Sequence, residues 1–497
     1  MRKKILLFIL AYIFNILLIL DLVNFNLNKF FVISSILELI LFVGIFLLFE
    51  STKFKKMKIE KKFIISYLII GLLYLFLFPI GSLPDELNHF YRSYEVSKGN
   101  LISKKCEVGN GYYAGCNTIT PEIEKAVSNG ARYRNVSKAL KYKYSKNSEK
   151  KWVAFTNISM YSFICYIPQA IGILFGRILH MPVLIWAYLA RLFNFIMFVS
   201  LLYFSIIRIP YKKTSIMFIA LLPITIQEAI SMSADCMAIA SSIALVSYIL
   251  YLRKNIEHVT KKQIIIILIL SLLLSMSKLV YLPICIITLI LPKEKFDSKK
   301  SKYIILGLIL LFVGILNLIW LKIASQFLLS IEGNANPNLQ MNLIIHSPWR
   351  FLAAAYNTST QLFDYYLNTA LGSSLGLFDV LISNVYIKIN ILILIFLIFF
   401  DKIKERTKVI NYIGLFISIV VILLIYTSLY LDWTPVGKNI IDGIQGRYFV
   451  PILPLILIGL SSDLFTIKEN NIFKQKNILI IMLFESIYVI TYLLNYY

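Results

Sequence analysis

The sequence predicts an all-α polytopic membrane protein of about thirteen transmembrane helices, and three observations carry that prediction. Hydrophobic residues make up 59% of the 497 and charged residues only 15%, with a mean hydropathy of +0.76. A soluble domain averages roughly half apolar and a quarter charged. Apolar runs of about 20 residues, long enough to cross a bilayer, recur along the whole chain. They are continuous rather than alternating, which favours helices over a β-barrel.

The first run follows Met1-Arg2-Lys3-Lys4. No small-residue cleavage site follows it and a second run starts near Phe30, so it reads as an uncleaved span with a cytoplasmic N-terminus. The predicted spans are Lys4–Val23, Phe30–Phe49, Lys62–Gly81, Pro182–Ile209, Ser215–Ile230, Cys236–Leu252, Gln263–Met276, Leu279–Leu291, Tyr303–Ile323, Ser383–Phe400, Val409–Leu431, Phe449–Ser462 and Ile478–Leu494. Together they make residues 1–497 one integral membrane domain with the N-terminus in and the C-terminus out.

The formal net charge of +24 suggests nucleic acid until its placement is considered. The proposed cytoplasmic segments hold 28 Lys and Arg, against 4 in the short outer loops: Lys29, Lys278, Lys438 and Arg447. That asymmetry follows the positive-inside rule, so no nucleic-acid partner is expected. The abundance of Lys, Ile, Asn and Tyr fits an AT-rich bacterial genome, which points to a bacterial cytoplasmic membrane. Two outer regions are large. The first, 82–181, is basic (13 Lys and Arg against 7 acids from Ser82 to Met160), but loops this long translocate regardless of charge. It ends in the apolar piece Met160–Leu179, read as a helix at or dipping into the outer surface, because a span there would invert everything downstream. The second, 324–382, contains Trp349–Leu371, whose mixture of aromatic and polar residues suits an interfacial helix. No internal repeat is visible.

The strongest candidate for chemistry is Pro84-Asp85-Glu86, just past the third span. Adjacent carboxylates at a membrane exit can accept a proton from a hydroxyl or hold a divalent cation such as Mg or Mn. Ser82 ahead of Asp85 reads equally as a helix cap, with the acids suiting the helix dipole. Arg447 lies at the outer mouth of a span, where a guanidinium can grip phosphate with two donors. Lys278 sits at an outer turn, needing a partner there or snorkelling to the interface. Arg92, seven residues beyond Asp85, falls on the same helix face. Asp235 is either a second site acid or a cap, and Arg191 reads as a structural charge paired with it. Cys106 and Cys116, in the first outer region, are either a disulfide or two free thiols. Cys165, Cys236 and Cys285 read as packing. The four histidines are too scattered for zinc, and no nucleotide-binding or serine-nucleophile motif appears.

The segment PDELNHFYRSY from Pro84 resembles the PDExxHFYRxY signature of a bacterial family of predicted membrane proteins defined as a domain of unknown function. Further similarities run in order: YIPQAIGILFGR from Tyr166, ARLFN from Ala190, SAD from Ser233, Ser277-Lys278, and QGRYFVPILP from Gln445. Leu87 departs from the family, which usually has a second proline there. That family in turn resembles the GT-C glycosyltransferases, which use polyprenyl-linked sugars. The resemblance implies a GT-C-like fold whose first outer loop carries an acidic motif beside the donor's lipid phosphate. Asp85 would then be the catalytic base with Glu86 its neighbour, and Arg447, Lys278 and Arg92 the phosphate site. Asp235, Arg191, His89 and Tyr448 would support them. The expected partners are a polyprenyl-phosphate sugar and a surface glycan, teichoic acid or glycolipid acceptor. The competing expectations are a polysaccharide polymerase or ligase, a transporter or flippase of lipid-linked sugars, and a non-catalytic scaffold.

Overall fold

The computed structural model describes residues 2–22, 29–109, 112–130, 135–155, 157–327, 335–401, 408–461 and 475–497. The basic segments within 402–407 and 462–474, counted above as cytoplasmic, lie outside the described residues.

Every one of the predicted apolar runs folds as helix. The first helices are α1 (Arg2–Leu22), α2 (Lys29–Glu50) and α3 (Ile59–Leu77). The helix α4 (Glu86–Ser97) and the sheet strands β1 (Lys104–Gly109), β2 (Tyr112–Ile119) and β3 (Lys151–Ala154) follow, then α5 (Ile167–Ile178). The bundle continues with α6 (Val183–Arg208), α7 (Lys213–Leu221), α8 (Pro223–Ile230), α9 (Ala234–Asn255), α10 (Lys261–Ser277), a 3₁₀ stretch Leu279–Ile290, and α11 (Lys299–Ala324). After α12 (Pro337–His346) and α13 (Pro348–Ala370) come a two-residue strand pair, α14 (Asn384–Phe400), α15 (Lys408–Asp432), a 3₁₀ turn Gly446–Ile452, α16 (Leu453–Gly459) and α17 (Gln475–Tyr496).

Among the described residues seven helices are long and apolar enough to cross a membrane, or eight if α7 and α8 form one span. The other expected spans differ for physical reasons. The first turns of α3 and α10 carry charge at Glu60–Lys62 and Lys261–Lys262, while prolines 283, 451 and 454 shorten the apolar stretches around them. Between α7 and α8 the axis turns by 69°. Pro223 begins α8 and cannot donate the hydrogen bond that would continue α7.

Burial follows composition. α9 is rich in Ala and Ser, which lets neighbours close in on all sides, and 94% of its apolar window is buried. α1, α2 and α11 bury 11–22% and present Leu, Ile and Phe outward as a lipid-facing rim would. One end of the bundle gathers lysines and their acids, as in Lys4–Glu50, Lys55–Glu50 and Lys213–Glu60. The opposite end gathers the end of α3, the start of α6, the α8–α9 and α10–3₁₀ junctions, and the Gly446 turn.

At that second end lies the first large region. Its three-stranded antiparallel sheet has the order β1-β2-β3, and Cys106 and Cys116 form a disulfide across β1–β2 with Cα atoms 6.0 Å apart. α5 forms a hairpin with α6, packed tightly enough that a Cβ on Gly172 would stand 2.5 Å from the Leu189 carbonyl. Its other face exposes Ile167, Ile171, Leu174 and Ile178. Twelve residues rise about 18 Å, too short to span, so the surface-helix reading of Met160–Leu179 suits it. α13 occupies the predicted interfacial segment. It buries Phe351, Ala354 and Thr358 while exposing Trp349, Tyr356 and Phe363.

Candidate functional site

The PDE motif splits into two roles. Glu86 is 2% exposed, and its carboxylate takes Arg191 side-on: Nε to Oε1 and Nη2 to Oε2, both 2.6 Å. Arg191 spends its remaining donors on the carbonyls of Leu75 (3.2 Å), Phe78 (2.5 Å) and Pro79 (2.9 Å). Glu86 Oε2 also accepts from the Gly81 amide at 2.7 Å. The pair therefore clamps the exit of α3 to α4 and α6. The expected pairing of Arg191 with Asp235 is overturned, because Arg191 sits beside the α3 exit, where Glu86 is the acid within reach.

Asp85 is left exposed and stands in the left-handed region at φ 55°. It occupies the N-cap position of α4, yet its side chain makes no capping hydrogen bond. Ser82 donates to the Pro79 carbonyl and does not cap either. A non-glycine residue in this conformation stores on the order of 1 kcal/mol or more of strain. The capping interaction that would explain the residue as structural is not made.

Arg92 is fully buried and turned inward, although its Nε makes no hydrogen bond. It meets Glu95 at 2.6 Å, donates to the Leu101 carbonyl at 2.7 Å, and lies over the Tyr166 ring. It anchors the strand entry to α4, and the structure does not bring it to Arg447. The expected shared face with Asp85 points Arg92 into the interior. His89, one turn earlier, bonds the Tyr166 hydroxyl through Nδ1 at 2.8 Å and stacks on Tyr161. Burial holds its imidazole down at about 3, with Asp235 opposing and Arg447 and Lys278 reinforcing that shift. His89 is a neutral group beside a charged cluster.

That cluster assembles four elements. Lys278, at the α10 end, meets Asp235, at the α9 start, at 2.5 Å. Arg447 lies 3.5 Å from Glu228 at the end of α8 and 3.6 Å from Asp235. Tyr448 places its ring under Lys278 at 4.6 Å and under Arg447 at 5.5 Å. The Tyr281 hydroxyl holds the Tyr448 carbonyl at 3.0 Å, and Ser242 holds that of Pro451. Gly446 lets this turn lie against α13, since a Cβ there would meet the Ala370 nitrogen at 2.2 Å.

The ionic contacts of Arg447 are loose, and this is the notable feature. It is 6% exposed, but its Nε and Nη1 have no hydrogen-bond partner. An unsatisfied buried donor costs about 1–3 kcal/mol, and more when charged. Arg447 lines a small recess whose wall also includes Pro84, Gln227, Thr369, Ser374 and Gln445. Pro84 in that wall puts Asp85 next to it along the chain.

The structure thus brings together Lys278, Asp235, Arg447, Tyr448 and, electrostatically, His89, and it withdraws Glu86, Arg191 and Arg92 into structural pairs. Sequence reasoning missed Glu228. A lone acid in the apolar run LPITIQEAI was the available signal, since a charge at membrane depth asks for a partner. Among the described residues no group of three or more His, Cys, Asp or Glu is placed to hold a metal ion.

A family model described as predicted membrane protein (DUF2142) matches residues 68–456. No curated protein and no solved structure matches the chain.

Proposed function

Because the chain belongs to the DUF2142 family of predicted membrane proteins, and because its buried Arg447, with two nitrogens that make no hydrogen bond, lines a recess beside the PDE motif, we propose that it is a GT-C-like glycosyltransferase. It moves a sugar from a polyprenyl-phosphate donor to a surface glycan, teichoic acid or glycolipid on the outer side of the bacterial membrane. The orientation rests on the 28-to-4 basic asymmetry, and the catalytic assignment on the family's resemblance to GT-C enzymes.

In this reading the donor's phosphate meets Arg447 from the recess, and Nη1 and Nε, which lie 3.5 and 3.6 Å from Glu228 and Asp235, turn to it as a fork that only a guanidinium supplies. Lys278, held on Asp235, adds positive charge from behind. Asp85 takes the proton of the acceptor hydroxyl. The acceptor oxygen bonds to the anomeric carbon as the carbon–oxygen bond to phosphate breaks. The growing phosphate charge then falls on Arg447, where preformed donors stabilise it best. Glu86, Arg191 and Arg92 build the frame and take no part. The sugar and lipid extend from the recess.

One observation favours a transporter or flippase instead: Glu38 and Glu485 are buried in mid-helix, where coupling residues of such proteins lie. Transfer from a purified polyprenyl-phosphate sugar, in lipid nanodiscs, decides between them. Product with the parent and none with Asp85→Asn supports the enzyme; lipid-linked sugar movement without transfer supports the other.

A further inference from the structure

Away from the recess, four helices hold a second polar group at mid-membrane depth. Glu38 lies near the middle of α2 and Glu485 near the middle of α17, while Asn15 is on α1 and Asn390 on α14. Asn15, Glu38 and Asn390 are fully buried and Glu485 is 1% exposed. The group is contiguous. Tyr386 donates to Asn15 Oδ1, Asn15 Nδ2 donates to the Phe484 carbonyl at 3.1 Å, and Asn390 Nδ2 donates to Glu485 at 2.8 Å. One turn beyond Glu38, Phe42 stacks on Phe484 at 5.1 Å, which brings α2 and α17 together at this level.

Its donors and acceptors do not balance. Both oxygens of Glu38 and Oδ1 of Asn390 have no hydrogen-bond partner. Glu38 faces the Asn15 amide without a bond of ordinary geometry to it. The titratable groups facing the two carboxyls are Tyr12 on α1, Tyr74 on α3, and Tyr386 and Tyr488 on α14 and α17. Among the described residues neither carboxyl makes an ion pair. A bare carboxylate in such surroundings is prohibitively costly, so each must carry a proton or receive a cation. Polar residues that merely glue helices together satisfy one another. Here the open atoms of the four residues are all acceptors, and the Tyr74 hydroxyl facing Glu485, also without a partner, offers a further oxygen. An all-oxygen set is what a hard alkali cation takes, and one ionised carboxylate balances one positive charge.

We propose that Glu38, Asn15, Asn390 and Glu485 form a membrane-embedded site that binds a small monovalent cation in exchange for a proton. The Glu38 carboxyl releases its proton, the cation takes its place on the carboxylate, and the site's net charge is unchanged. Asn15, Glu38 and Glu485, on α1, α2 and α17, lie outside residues 68–456, while Asn390 on α14 lies within them, so most of the site falls in the part that the family model does not match. It stands apart from any chemistry at Arg447.

Dicyclohexylcarbodiimide couples to protonated carboxyls in apolar surroundings and provides the test. The full chain in nanodiscs is labelled in choline, sodium or potassium chloride of equal strength, and the modified residue is mapped by mass spectrometry. Glu38 or Glu485 should label in choline. Sodium or potassium should lower that labelling by roughly fivefold at a concentration about four times the dissociation constant. Glu38→Gln and Asn390→Ala should each remove the salt effect on labelling of Glu485. Equal labelling in all three salts overturns the proposal, because the carboxyls are then only neutral packing. Absence of labelling in every salt overturns it as well. The comparison among salts uses the parent protein, so it stands even if a variant fails to fold.

Discussion

Arg191 and Arg447 are both buried guanidiniums near the same end of the bundle, and each faces carboxylates. Arg191 has a side-on grip on Glu86 at 2.6 Å and three backbone carbonyls besides. Arg447 has acids at 3.5 and 3.6 Å and two nitrogens with no partner. The first fork is fully spent on the fold. The second is held ready by a tyrosine ring and a glycine turn, with its donors unspent. A residue type and a depth of burial therefore do not identify a site. Open donors on a residue that lines a recess do.

The largest effect separates the two regions by stability. Arg191→Ala leaves Glu86 buried without its cation and three carbonyls without donors. Removing one partner of a buried pair costs about 3–5 kcal/mol, so thermal unfolding in nanodiscs should show a severely destabilised or unrecoverable protein. A stable Arg191→Ala chain would mean that the clamp is dispensable and the contrast false.

Asp85→Asn tests the exposed half of the motif. Transfer should fall by on the order of 100-fold, the usual contribution of a positioned base, while the unfolding temperature stays put. If Asp85 only shapes the start of α4, the change should be nearly silent in a glycan assay, since Asn tolerates the left-handed region as well as Asp does.

His89 supplies a pH arm. Its native pKa of about 3 lies below the ordinary 6.5, so the unfolded chain binds the proton more readily. Stability is then fully present above about 6.5 and is lost as pH falls toward 3. Between 6.5 and about 5, before carboxylates interfere, the loss should reach about 2 kcal/mol. His89→Gln should flatten that slope, and an unchanged slope would remove His89 as its source.

The smallest effect is the most pointed. Arg447→Lys keeps the charge but loses the fork, so donor use should weaken by roughly tenfold, the worth of about one charge-assisted hydrogen bond. Unfolding should change little, because the parent's ionic contacts there are already long. Unaltered donor use by Arg447→Lys would leave the open nitrogens without a purpose.

Much of this was legible from sequence and some was not, for identifiable reasons. Helix positions followed from continuous apolar runs, seven or eight of them long and apolar enough to cross a membrane among the described residues, and α13 from its aromatic and polar mixture. Lys278 and Arg447 stood out as charges at span mouths. Partner choice was hidden, because Glu86 and Arg191 are 105 residues apart and only packing of α3 against α6 joins them. Arg92 followed correct helical arithmetic to the wrong conclusion, since spacing says which face a residue shares and not whether that face is wet. Glu38 and Glu485 were overlooked because each is a single acid in a long apolar run.

The Cys106–Cys116 bridge has a practical consequence. Cys165, Cys236 and Cys285 are all buried, as is Cys116, so the partly exposed Cys106 is where the bridge meets solvent. Disulfides persist in oxidising compartments and are kept reduced in the cytosol. In intact cells, maleimide tagging with and without prior reduction reports which side of the membrane residues 82–181 occupy, with no engineered cysteine. A pair that resists alkylation until reduced assigns that region to the outside, and a pair that alkylates freely inverts the topology. The wild-type chain carries its own compass.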